Sequence, residues 1–589
     1  MNIIESDILL YLESRNYTNQ RKISLELGYS LGLVNRTIRK LKEELYIDSE
    51  NKLSEKSNKI IMENSPKQAI ILAAGFGFRM VPINQEKPKA FLNIRGELLI
   101  ERIIRQLHEV QISDITIVVG FMKEEFEYLI DKFGVKLIVN PEYSQKNNLH
   151  SLKYVKHKLV NSYIIPSDVW FDKNPFRRRE LNSWYMVTDK IEEDSNIRYN
   201  KKRELIETDS RVKGNQVIGV AYISQEDEKK VYKNIEKLIA LSEYDDSFWE
   251  KSLFDNKKMI ISARIFPFSQ VIEINTYEQL RDIDENSQQL NVEPISIIEK
   301  CLGIDKTELS EIDVLKKGMT NRSFLFKSRN DKYIMRIPGE GTDSLINREH
   351  EAAVYQVIRD QKICDDIIYI NPTNGYKITK FLPNVRSCSS DNWKDVESCI
   401  QFLKKFHQLE LQVEHEFDLF GQIEFYESLW DEKQSAYKDY KLTKNNILSL
   451  KDYVEKHIEK KVLTHIDAVP DNFLFVQDDQ EIRLIDWEYA GMQDPHLDIA
   501  MFCIYSLYER QEIDHVIDLY FSEKCPHSIR LKIYCYIAIA GLLWSNWCEY
   551  KRSLGIEFGE YSLRQYRYAK DYYRIVQEEL QKELEYESD

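Results

Sequence analysis

The sequence predicts a multidomain protein with α/β and α+β parts. Its 589 residues exceed the 100–200 residues of a typical domain, so about three hydrophobic cores are expected. Two polar stretches, NKLSEKSNK near residue 55 and DENSQQLNVEP near residue 290, separate segments of different composition. The middle segment alternates apolar strands with amphipathic helices, and the last begins with strand-like runs and becomes mostly helical. We therefore predict domains at residues 1–65, 66–290 and 291–589.

The composition is that of a folded, globular protein. Hydrophobic residues make up 43% of the chain and charged residues 30%, with only 19 Gly and 14 Pro, which excludes a fibrous or largely disordered chain. The eight cysteines lie between Cys301 and Cys548 without a CxxC pair, so we expect reduced core thiols and no zinc ribbon or disulfide framework. The formal net charge of −15 disfavours non-specific attraction to nucleic acid or acidic membranes.

The sequence predicts a cytoplasmic protein without a membrane-spanning segment. The longest nearly uncharged stretch, Ile533 to Trp544, is shorter than the roughly 18 to 20 apolar residues needed to cross a bilayer, which indicates a buried helix. The first residues, MNIIESDILL, contain acids where a secretory leader carries positive charge.

The first segment has helix-turn-helix spacing. Ile23 and Leu27 precede a turn at Gly28, and Ser30 can cap a second helix. The apolar face predicted for that helix is Val34, Ile38, Leu41 and Leu45. The segment resembles the winged-helix module of many bacterial regulators, which implies possible DNA contact through exposed residues of the second helix. Those residues are Asn35, Arg36 and Arg39. Ten basic residues balance ten acidic ones in residues 1–65, so a small module that contacts protein is the alternative.

The second segment has the pattern of an α/β domain. The runs QAIILAAG, DITIVVG and VKLIVNP read as strands, and IERIIRQLHEV and KEEFEYLIDKF read as helices. The first of these helices is predicted to bury Ile100, Ile103, Ile104, Leu107 and Val110. This order implies a mostly parallel sheet with helices on both faces, as in a Rossmann-like fold.

A candidate triphosphate site follows the first strand of this domain. Glycines at Gly75 and Gly77 let the main chain bend around a polyphosphate so that amide hydrogens face its oxygens. Arg79, and Lys89 in KPKAFL, add positive charge. The nucleotide-binding candidates of the turn are Ala73, Ala74, Gly75 and Gly77. A GxG turn is weak on its own, but the preceding strand and the following PK favour nucleotide binding.

These motifs resemble sugar-nucleotide pyrophosphorylase-like nucleotidyltransferases, and more closely the bacterial CTP:phosphocholine cytidylyltransferases. The similarity covers residues 66–285 and includes NPEYSQKNNLHSL, IIPSDVWF, NSWYMV and SFWEKSLF. The resemblance implies that Asp168 is a magnesium ligand and that Lys89 contacts the phosphates. It also implies that phosphocholine attacks the α-phosphorus of CTP and expels pyrophosphate, an in-line displacement driven by positioning and charge neutralisation.

The chain departs from that family at one metal-binding position. Where the family has an E-I-D stretch, this chain reads Glu273-Ile274-Asn275, and a neutral amide binds magnesium more weakly than a carboxylate. Three alternatives follow: Asp168 holds magnesium with phosphate oxygens and water alone, Glu273 shifts to help hold it, or the domain is slow or inactive. We favour an active domain. Trp170, Trp184 and Trp249 could face a quaternary ammonium by cation–π attraction, with core packing as the alternative for each. Among the three we select Trp184.

The third segment contains a phosphoryl-transfer motif. The stretch from His465 to Asn472 reads HxDxxxxN, and Asp486 follows at the end of a predicted strand. Asp467 would orient the acceptor hydroxyl and take its proton, while Asn472 and Asp486 would hold Mg²⁺ on the ATP phosphates. Single polar residues can cap loops or strands, but this joint spacing favours catalysis.

Other residues of a nucleotide site lie upstream. Gly318 begins a GMTNRSF stretch between two strands whose Gly318, Asn321 and Ser323 could cover the phosphates. Arg336 occupies the usual place of the strand lysine of kinases. Its predicted ion partner is Glu351 on the next helix, and Glu349 is the competing assignment.

These features resemble the choline and ethanolamine kinases of the aminoglycoside-phosphotransferase-like superfamily. The resemblance covers residues 291–589, implies a two-lobed, protein-kinase-like fold, and favours the choline branch because Arg336 is common there. The C-terminal helices resemble that family's choline-binding helices. Trp544 and Trp547, three residues apart on one helix face, and Tyr568 could surround a trimethylammonium group. Core packing is the alternative for such aromatics.

Together the two resemblances predict synthesis of CDP-choline from choline, ATP and CTP, with phosphocholine as the shared intermediate. One alternative is a kinase and nucleotidyltransferase pair for ethanolamine, another amino alcohol or an antibiotic. The other is a regulator that binds DNA through its first segment and uses a weakened cytidylyltransferase domain as a choline sensor.

Overall fold

The computed structural model describes residues 1–589 apart from 16, 76–79, 81, 84–86, 210–211, 316–320, 340–344, 431–433, 477–480, 522–523, 555 and 589, and apart from the side chains of 321–322 and 584–588. The chain forms two compact units, Met1–Ser296 and Ile297–Asp589. The residues predicted as a separate first domain, 1–65, are thus part of the first unit.

The helices of the first unit are α1 (Ile3–Ser14), α2 (Gln20–Leu27), α3 (Leu31–Glu43), α4 (Glu55–Asn64), α5 (Leu99–Glu109), α6 (Tyr128–Phe133), α7 (Asn148–Lys153), α8 (Gln225–Ile239) and α9 (Tyr277–Ile283), and α10 (Glu293–Leu302) contains the point of division. Its strands are β1 (Gln68–Ala73), β2 (Asn93–Ile94), β3 (Glu97–Leu98), β4 (Asp114–Val119), β5 (Lys136–Val139), β6 (Ser162–Pro166), β7 (Val169–Phe171), β8 (Trp184–Glu192), β9 (Ile197–Tyr199), β10 (Glu204–Glu207), β11 (Gly214–Ile223), β12 (Phe254–Asp255), β13 (Lys258–Phe266) and β14 (Val271–Glu273).

The N-terminal helices form the predicted helix-turn-helix. Asn19 caps α2, and α2 ends at Gly28 with a left-handed φ of 73°. Ser30 occupies the N-cap position of α3, but its hydroxyl makes no cap hydrogen bond. The predicted burial of Leu45 is wrong: α3 ends at Glu43, and Leu45 is 72% exposed. Where a winged-helix module has a hairpin, the described residues contain one isolated antiparallel bridge, between Ile47 and Leu53.

The N-terminal helices pack against the α/β part of the unit. Leu181 belongs to the same buried cluster as Ile8 and Val34. Arg203 lies 3.3 Å from Asp7 in an ion pair. These contacts explain why residues 1–65 and the following α/β part form one unit, and the contact of this module with DNA stays a prediction.

The large sheet of the first unit is mixed, with strand order β5-β4-β1-β6-β11-β8-β13-β10-β9 and β12 beside β13. Strands β5, β4, β1 and β6 pair in parallel, as predicted. The prediction of a mostly parallel sheet is wrong for most of the other pairings. Strand β13 is parallel to β8, but β11 is antiparallel to β6 and β8, and β10 is antiparallel to β9 and β13. The segment between β8 and β11 contains no helix among its described residues, so it supplies no crossover that a parallel pairing would need.

Side-chain alternation on β1 builds a core on each face of the sheet. Ile71 packs in the cluster that contains α5, whereas Ile70 and Leu72 pack on the opposite face with α7 and α8. In α5 the predicted residues Ile100, Ile103, Ile104 and Leu107 are buried. Both faces of the sheet around β1 are therefore covered, and its strand ends are the place to look for a ligand site.

The helices of the second unit are α11 (Arg348–Ile358), α12 (Trp393–Gln408), α13 (Leu419–Ser428), α14 (Tyr440–Leu448), α15 (Lys451–Lys456), α16 (His496–Tyr505), α17 (Arg510–Tyr520), α18 (His527–Ser553) and α19 (Glu560–Ser588). Its strands are β15 (Leu309–Val314), β16 (Asn321–Ser328), β17 (Asp331–Pro338), β18 (Ile367–Ile370), β19 (Lys377–Lys380), β20 (Arg386–Ser387), β21 (Val462–Thr464), β22 (Phe473–Val476), β23 (Glu481–Leu484) and β24 (Gly491–Gln493).

The second unit has the predicted two lobes. A five-stranded antiparallel sheet, in the order β15-β16-β17-β19-β18, forms the small lobe with α11. The large lobe is mostly helical and is organised around α18. By length and composition α18 could cross a membrane, but its most apolar window is 83% buried within the unit, as expected for a core helix. All eight cysteines are free thiols, and all but Cys301 are buried.

A buried ion pair ties α18 to the segment before α16. Lys532 Nζ lies 2.6 Å from Asp494 Oδ2, and both side chains are 1% exposed. Although burial raises the pKa of Asp494, His496 and Lys532 lower it to about 2, so the carboxylate is ionised. Loss of one partner would leave an uncompensated buried charge.

Replacing Lys532 by Met should therefore destabilise the second unit by about 3–5 kcal/mol, because Asp494 stays buried without its lysine counter-ion. The measurement is the denaturant midpoint of that unit's transition in the full chain. The Lys532→Met/Asp494→Leu double variant should recover part of the loss. Lys582→Met, which breaks an exposed pair with Glu579, is the control and should change stability by no more than about 0.5 kcal/mol. Equal small losses in both single variants would contradict the prediction.

Candidate active sites

The first candidate site is a cavity of about 740 Å³ in the first unit. It lies where β1 and β6 end, at the edge where α/β sheets bind ligands. The predicted nucleotide-binding residues that line it are Ala73, Ala74 and Gly75. Gly77 and Arg79 lie outside the described residues. A side chain at Gly120 would come within 2.7 Å of the Ala74 carbonyl oxygen, so only glycine fits beside this turn.

Lys89 joins the predicted metal-binding residues in this cavity. Its Nζ lies 3.0 Å from Asp168 Oδ2 and donates to Asn275 Oδ1 at 2.6 Å. Lys89 is itself 9% exposed, so the ammonium is fixed at the cavity wall. The backbone holds Asp168 in place, because the amide of Ile274 donates to its carbonyl oxygen at 2.9 Å. The structure therefore brings these three residues into one cavity, and their roles there stay a prediction.

The oxygen donors of this cavity fit a magnesium ion. The Asp168 carboxylate, the Asn275 amide oxygen and Glu273 all line it. The described residues contain no group of three His, Cys, Asp or Glu that would hold a metal by themselves. Mg²⁺ is typically held by one or two carboxylates with water and substrate phosphates, so this sparse set is compatible with it. The metal is an expectation that rests on the donor chemistry.

Aromatic residues and one carboxyl group form another part of the same cavity. Tyr185, Trp249 and Glu250 line it, and the Tyr185 hydroxyl donates to Glu250 Oε1 at 3.0 Å. Gly219 has a left-handed φ of 76°, and its amide donates to the Tyr185 oxygen at 3.2 Å. Burial raises the pKa of Glu250 to about 7. Aromatic faces beside a carboxyl group suit a bulky organic cation.

The structure does not bring Trp184 to this cavity. Its ring lies 5.9 Å from that of Tyr163 in the core, and the Arg264 guanidinium stacks on it at 4.0 Å. Successive residues of a strand face opposite sides of a sheet, so Tyr185 faces the cavity and Trp184 does not. The predicted residue thus lies on the wrong side of β8, and no signal in the sequence tells which of these two adjacent aromatic residues faces the cavity.

The second candidate site is a cavity of about 910 Å³ in the second unit. It brings together the residues predicted for phosphoryl transfer, which are Asp467, Asn472, Asp486, Arg336 and Ser323. Asn472 Nδ2 donates to the carbonyl oxygen of Asp467 at 2.9 Å and to its Oδ2 at 3.1 Å. Gly318 lies outside the described residues, as does the side chain of Asn321. Amide and carboxylate oxygens of Asn472 and Asp486 are donors that Mg²⁺ accepts.

Asp498 on α16 holds the loop that carries Asp467. Its carboxylate accepts hydrogen bonds from the backbone amides of His465 at 3.0 Å and Ile466 at 2.8 Å. Ile466 has a φ of 71°, a left-handed conformation that a β-branched residue rarely adopts. His407 Nε2 lies 3.0 Å from the same carboxylate and orients it. The loop conformation is therefore imposed by a buried side chain that sequence spacing did not reveal.

The Asp467 carboxyl group is suited to proton transfer near neutral pH. Burial raises its pKa to about 7, with a further contribution from the negative charge of Asp486, while the hydrogen bond from Asn472 opposes the shift. An acid with a pKa close to the operating pH is an efficient general base. The geometry and the pKa thus agree with the role predicted for this residue.

Arg336 makes the predicted ion pair with Glu351. The shortest distance between their charged atoms is 2.6 Å, both side chains are buried, and Glu349 is exposed on the first turn of α11. Arg336 Nη1 also lies 3.8 Å from Asp486 Oδ1 and 3.9 Å from Glu488 Oε2. Glu351 therefore fixes one edge of the guanidinium, and the other edge points toward Asp486 and Glu488.

An aromatic surface lines another part of the second cavity. Trp544 and Trp547 both line it, with ring centroids 5.5 Å apart and planes at 79°. The other aromatic lining residues near them are Tyr489, Tyr505, Phe558 and Tyr561. The predicted Tyr568 is not among the lining residues, because its hydroxyl donates to the carbonyl oxygen of Tyr508 at 2.7 Å in the core. Tyr561, about two turns earlier on α19, lines the cavity.

Comparison with known proteins assigns each unit to a family. Residues 312–518 match the choline/ethanolamine kinase family, and residues 69–167 match the MobA-like NTP transferase domain. The chain is 34% identical to choline-phosphate cytidylyltransferase of Streptococcus pneumoniae over 37% of this chain and 97% of that protein. It is 30% identical to protein LicA of Haemophilus influenzae over 42% of this chain and 95% of that protein.

The chain belongs to both the choline-phosphate cytidylyltransferase family and the choline/ethanolamine kinase family. A solved structure of choline kinase LicA from Streptococcus pneumoniae has 29% sequence identity and a TM-score of 0.42, and the match covers 47% of this chain and 98% of that one. The family relationships predicted from the two sets of motifs are confirmed. The DNA-binding resemblance of the N-terminal helices has no such support.

Asp498→Asn should slow the kinase reaction of the second unit by about tenfold or more. The amide group would place a donor against the amide of His465 or Ile466, and a lost hydrogen bond to a charged group costs about 1.5–3 kcal/mol. Steady-state kinetics and hydrogen exchange at these two amides measure the effect. Asp571→Asn, which changes an exposed ion pair, is the matched control. Unchanged exchange together with unchanged turnover would contradict the prediction.

Proposed function

We propose that the chain makes CDP-choline in two steps. The second unit transfers the γ-phosphoryl group of ATP to choline, and the first unit transfers CMP from CTP to the resulting phosphocholine with release of pyrophosphate. One observation carries this proposal: in each unit, residues that suit phosphates and residues that suit an organic cation line the same cavity. The two family relationships support it.

In the kinase step, the acceptor is held by its cationic end and reacts at its hydroxyl end. The faces of Trp544, Trp547 and Tyr561 attract the trimethylammonium group, which has no hydrogen-bond donor. Asp467 accepts the hydroxyl proton as the oxygen attacks the γ-phosphorus of ATP in line with the departing ADP. Mg²⁺ held by Asn472 and Asp486 would neutralise charge on the phosphates. Arg336 adds a fixed positive charge on the same side.

In the cytidylyltransferase step, a phosphate oxygen of phosphocholine attacks the α-phosphorus of CTP. The turn after β1 binds the triphosphate together with the ammonium of Lys89, which Asp168 and Asn275 hold at the cavity wall. Asp168, with Asn275 or Glu273, would hold Mg²⁺. The attacking oxygen is already ionised near neutral pH, so the step needs positioning and charge neutralisation and no general base.

Phosphorus NMR of the purified chain with choline, ATP, CTP and Mg²⁺ tests the proposal. Phosphocholine should appear first and CDP-choline second, with ADP and pyrophosphate as the other products. Preference for ethanolamine over choline at equal concentration would replace the proposed acceptor. Product formation by neither unit would overturn the proposal.

Asp467→Ala should lower phosphocholine formation by about 10²–10⁴-fold, because the acceptor loses its general base and its orienting group. The same variant should retain the CTP step when phosphocholine is supplied. Asp168→Ala should show the reverse pattern. Coupled assays of each half-reaction provide the measurement, and loss of both activities in either folded variant would contradict two separate sites.

Acceptor binding in the first unit should weaken at low pH. Glu250 has a pKa raised to about 7, so it is about 90% ionised at pH 8 and about 90% neutral at pH 6, and only the carboxylate attracts the trimethylammonium group. The KM for phosphocholine should therefore rise up to about tenfold from pH 8 to pH 6. Glu250→Gln should have a high KM throughout and lose the part of the pH dependence that is due to this residue. The substrate phosphate titrates in the same way with the wild-type chain and with Glu250→Gln. Equal pH dependence of the KM for phosphocholine in the two would therefore contradict the prediction.

A further inference from the structure

The candidate metal-binding oxygens of the first unit lie on one two-stranded ribbon, formed by β7 and β14. Asp168 directly precedes β7, Glu273 is the last residue of β14, and Asn275 follows two residues later. The two strands pair antiparallel, and the amide of Ile274 donates to the Asp168 carbonyl oxygen at 2.9 Å. A shift of the ribbon would therefore move all of these oxygens relative to Lys89.

Arg102 on α5 holds the edge of this ribbon that β14 does not cover. No other described strand pairs with β7. Arg102 Nε donates to the Phe171 carbonyl oxygen at 2.9 Å, and Nη2 donates to the same oxygen at 2.6 Å and to the Asp172 carbonyl oxygen at 3.2 Å. Gln106, one turn later on α5, also donates to the Phe171 oxygen, at 3.3 Å. Side chains of α5 thus bind the backbone at the end of β7.

The Arg102 side chain is itself fixed in place. Its Nη1 donates to Glu97 Oε2 at 2.7 Å, and its guanidinium lies over the Trp170 ring, 4.0 Å from the ring centroid. The Arg102 side chain is 14% exposed, and Trp170 is buried within the ribbon. The planar fork of arginine reaches several oxygens at once, which the single ammonium of lysine does not do in the same geometry. Arg102 therefore ties α5 to β7 by three hydrogen bonds and one ring contact.

We propose that Arg102 is a positioning residue for the cytidylyltransferase reaction. It holds one end of the ribbon so that Asp168 and Asn275, at the other end, stay at 3.0 and 2.6 Å from the Lys89 ammonium. Arg102 does not line the cavity, so it acts through the ribbon and makes no contact with substrate. A misplacement of about 1 Å in such groups can cost about 10²-fold in rate. This inference rests on the proposed transfer of CMP from CTP to phosphocholine.

Arg102→Met should lower kcat of the CTP step by about tenfold or more. It should also raise the Mg²⁺ concentration that gives half-maximal rate by about tenfold, the scale expected when a group that orients metal ligands is lost. The KM for phosphocholine should change by no more than about twofold, because Tyr185 and Trp249 lie outside the ribbon. Steady-state kinetics with phosphocholine supplied provide the measurement. A lower kcat with the wild-type Mg²⁺ dependence would make Arg102 a purely structural residue and overturn the proposal.

Amide hydrogen exchange measures the same effect without substrate or metal. The amides of Asp172 and Ile274 lie at the two ends of the ribbon, where they donate to the carbonyl oxygens of Gln270 and Asp168. In Arg102→Met both amides should exchange about tenfold or more faster than in the wild-type chain, because the ribbon opens locally. The amides of β1 should exchange as before. Unchanged exchange at Asp172 and Ile274, or equal acceleration in β1, would overturn the proposal.

Arg105→Met is the matched control. Arg105 lies on the same helix and pairs with the same Glu97, but its side chain is 46% exposed and its other partner is Glu109. This variant should keep the wild-type CTP kinetics and the wild-type exchange in the ribbon. Arg102→Lys keeps the positive charge without the fork, so it should recover only part of the loss. If Arg102→Met fails to fold, wild-type kinetics and exchange in Arg102→Lys would overturn the proposal.

The experiment separates this inference from the function on which it rests. Formation of CDP-choline at equal rates by the wild-type chain and by Arg102→Met would leave the proposed function intact and overturn the positioning role. Absence of CDP-choline formation by the wild-type chain would overturn the proposed function itself, and amide exchange would still show whether Arg102 holds the ribbon. Phosphocholine formation by the second unit should be equal in all of these variants.

Discussion

Each cavity depends on one buried cation that is held by carboxylate or amide oxygens before any phosphate arrives. Lys89 plays this part between Asp168 and Asn275, and Arg336 plays it beside Glu351 and Asp486. A protein with a net charge of −15 cannot attract triphosphates by its overall field, so local positive charge must be fixed in place. Burial strengthens the attraction within each of these ion pairs. It also makes a buried charge without its partner strongly destabilising.

The chemistry-bearing residues were predictable from sequence because short motifs fix them. The spacing from Asp467 to Asn472 is set by one tight loop, and Ala74 and Gly75 directly follow β1. The faces of α5 and the alternation on β1 followed from helical and strand periodicity. These features depend on residues close together in the chain, so a pattern in one sequence is enough to identify them.

Features that depend on distant residues were less predictable. Trp184 and Tyr185 are adjacent on β8, and only the packing of the sheet decides which of them faces the cavity. Tyr561 lines the second cavity in place of the predicted Tyr568 because the register of α19 against α18 is a tertiary property. The antiparallel pairings of β10 and β11 in the large sheet were not predicted, because alternation of side chains along a strand does not reveal the direction of its neighbours. Asp498 was missed because its function is to hold backbone amides, which leaves no sequence signature.

The contact between the N-terminal helices and the rest of the first unit changes how truncation should be interpreted. Leu181 shares a buried cluster with Ile8 and Val34, and Arg203 pairs with Asp7. A shortened protein that begins after residue 65 would uncover that cluster and leave a charged group without its counter-ion. Poor solubility or loss of the CTP reaction in such a truncated protein would show that the first unit is destabilised. It would not show whether the N-terminal helices regulate genes.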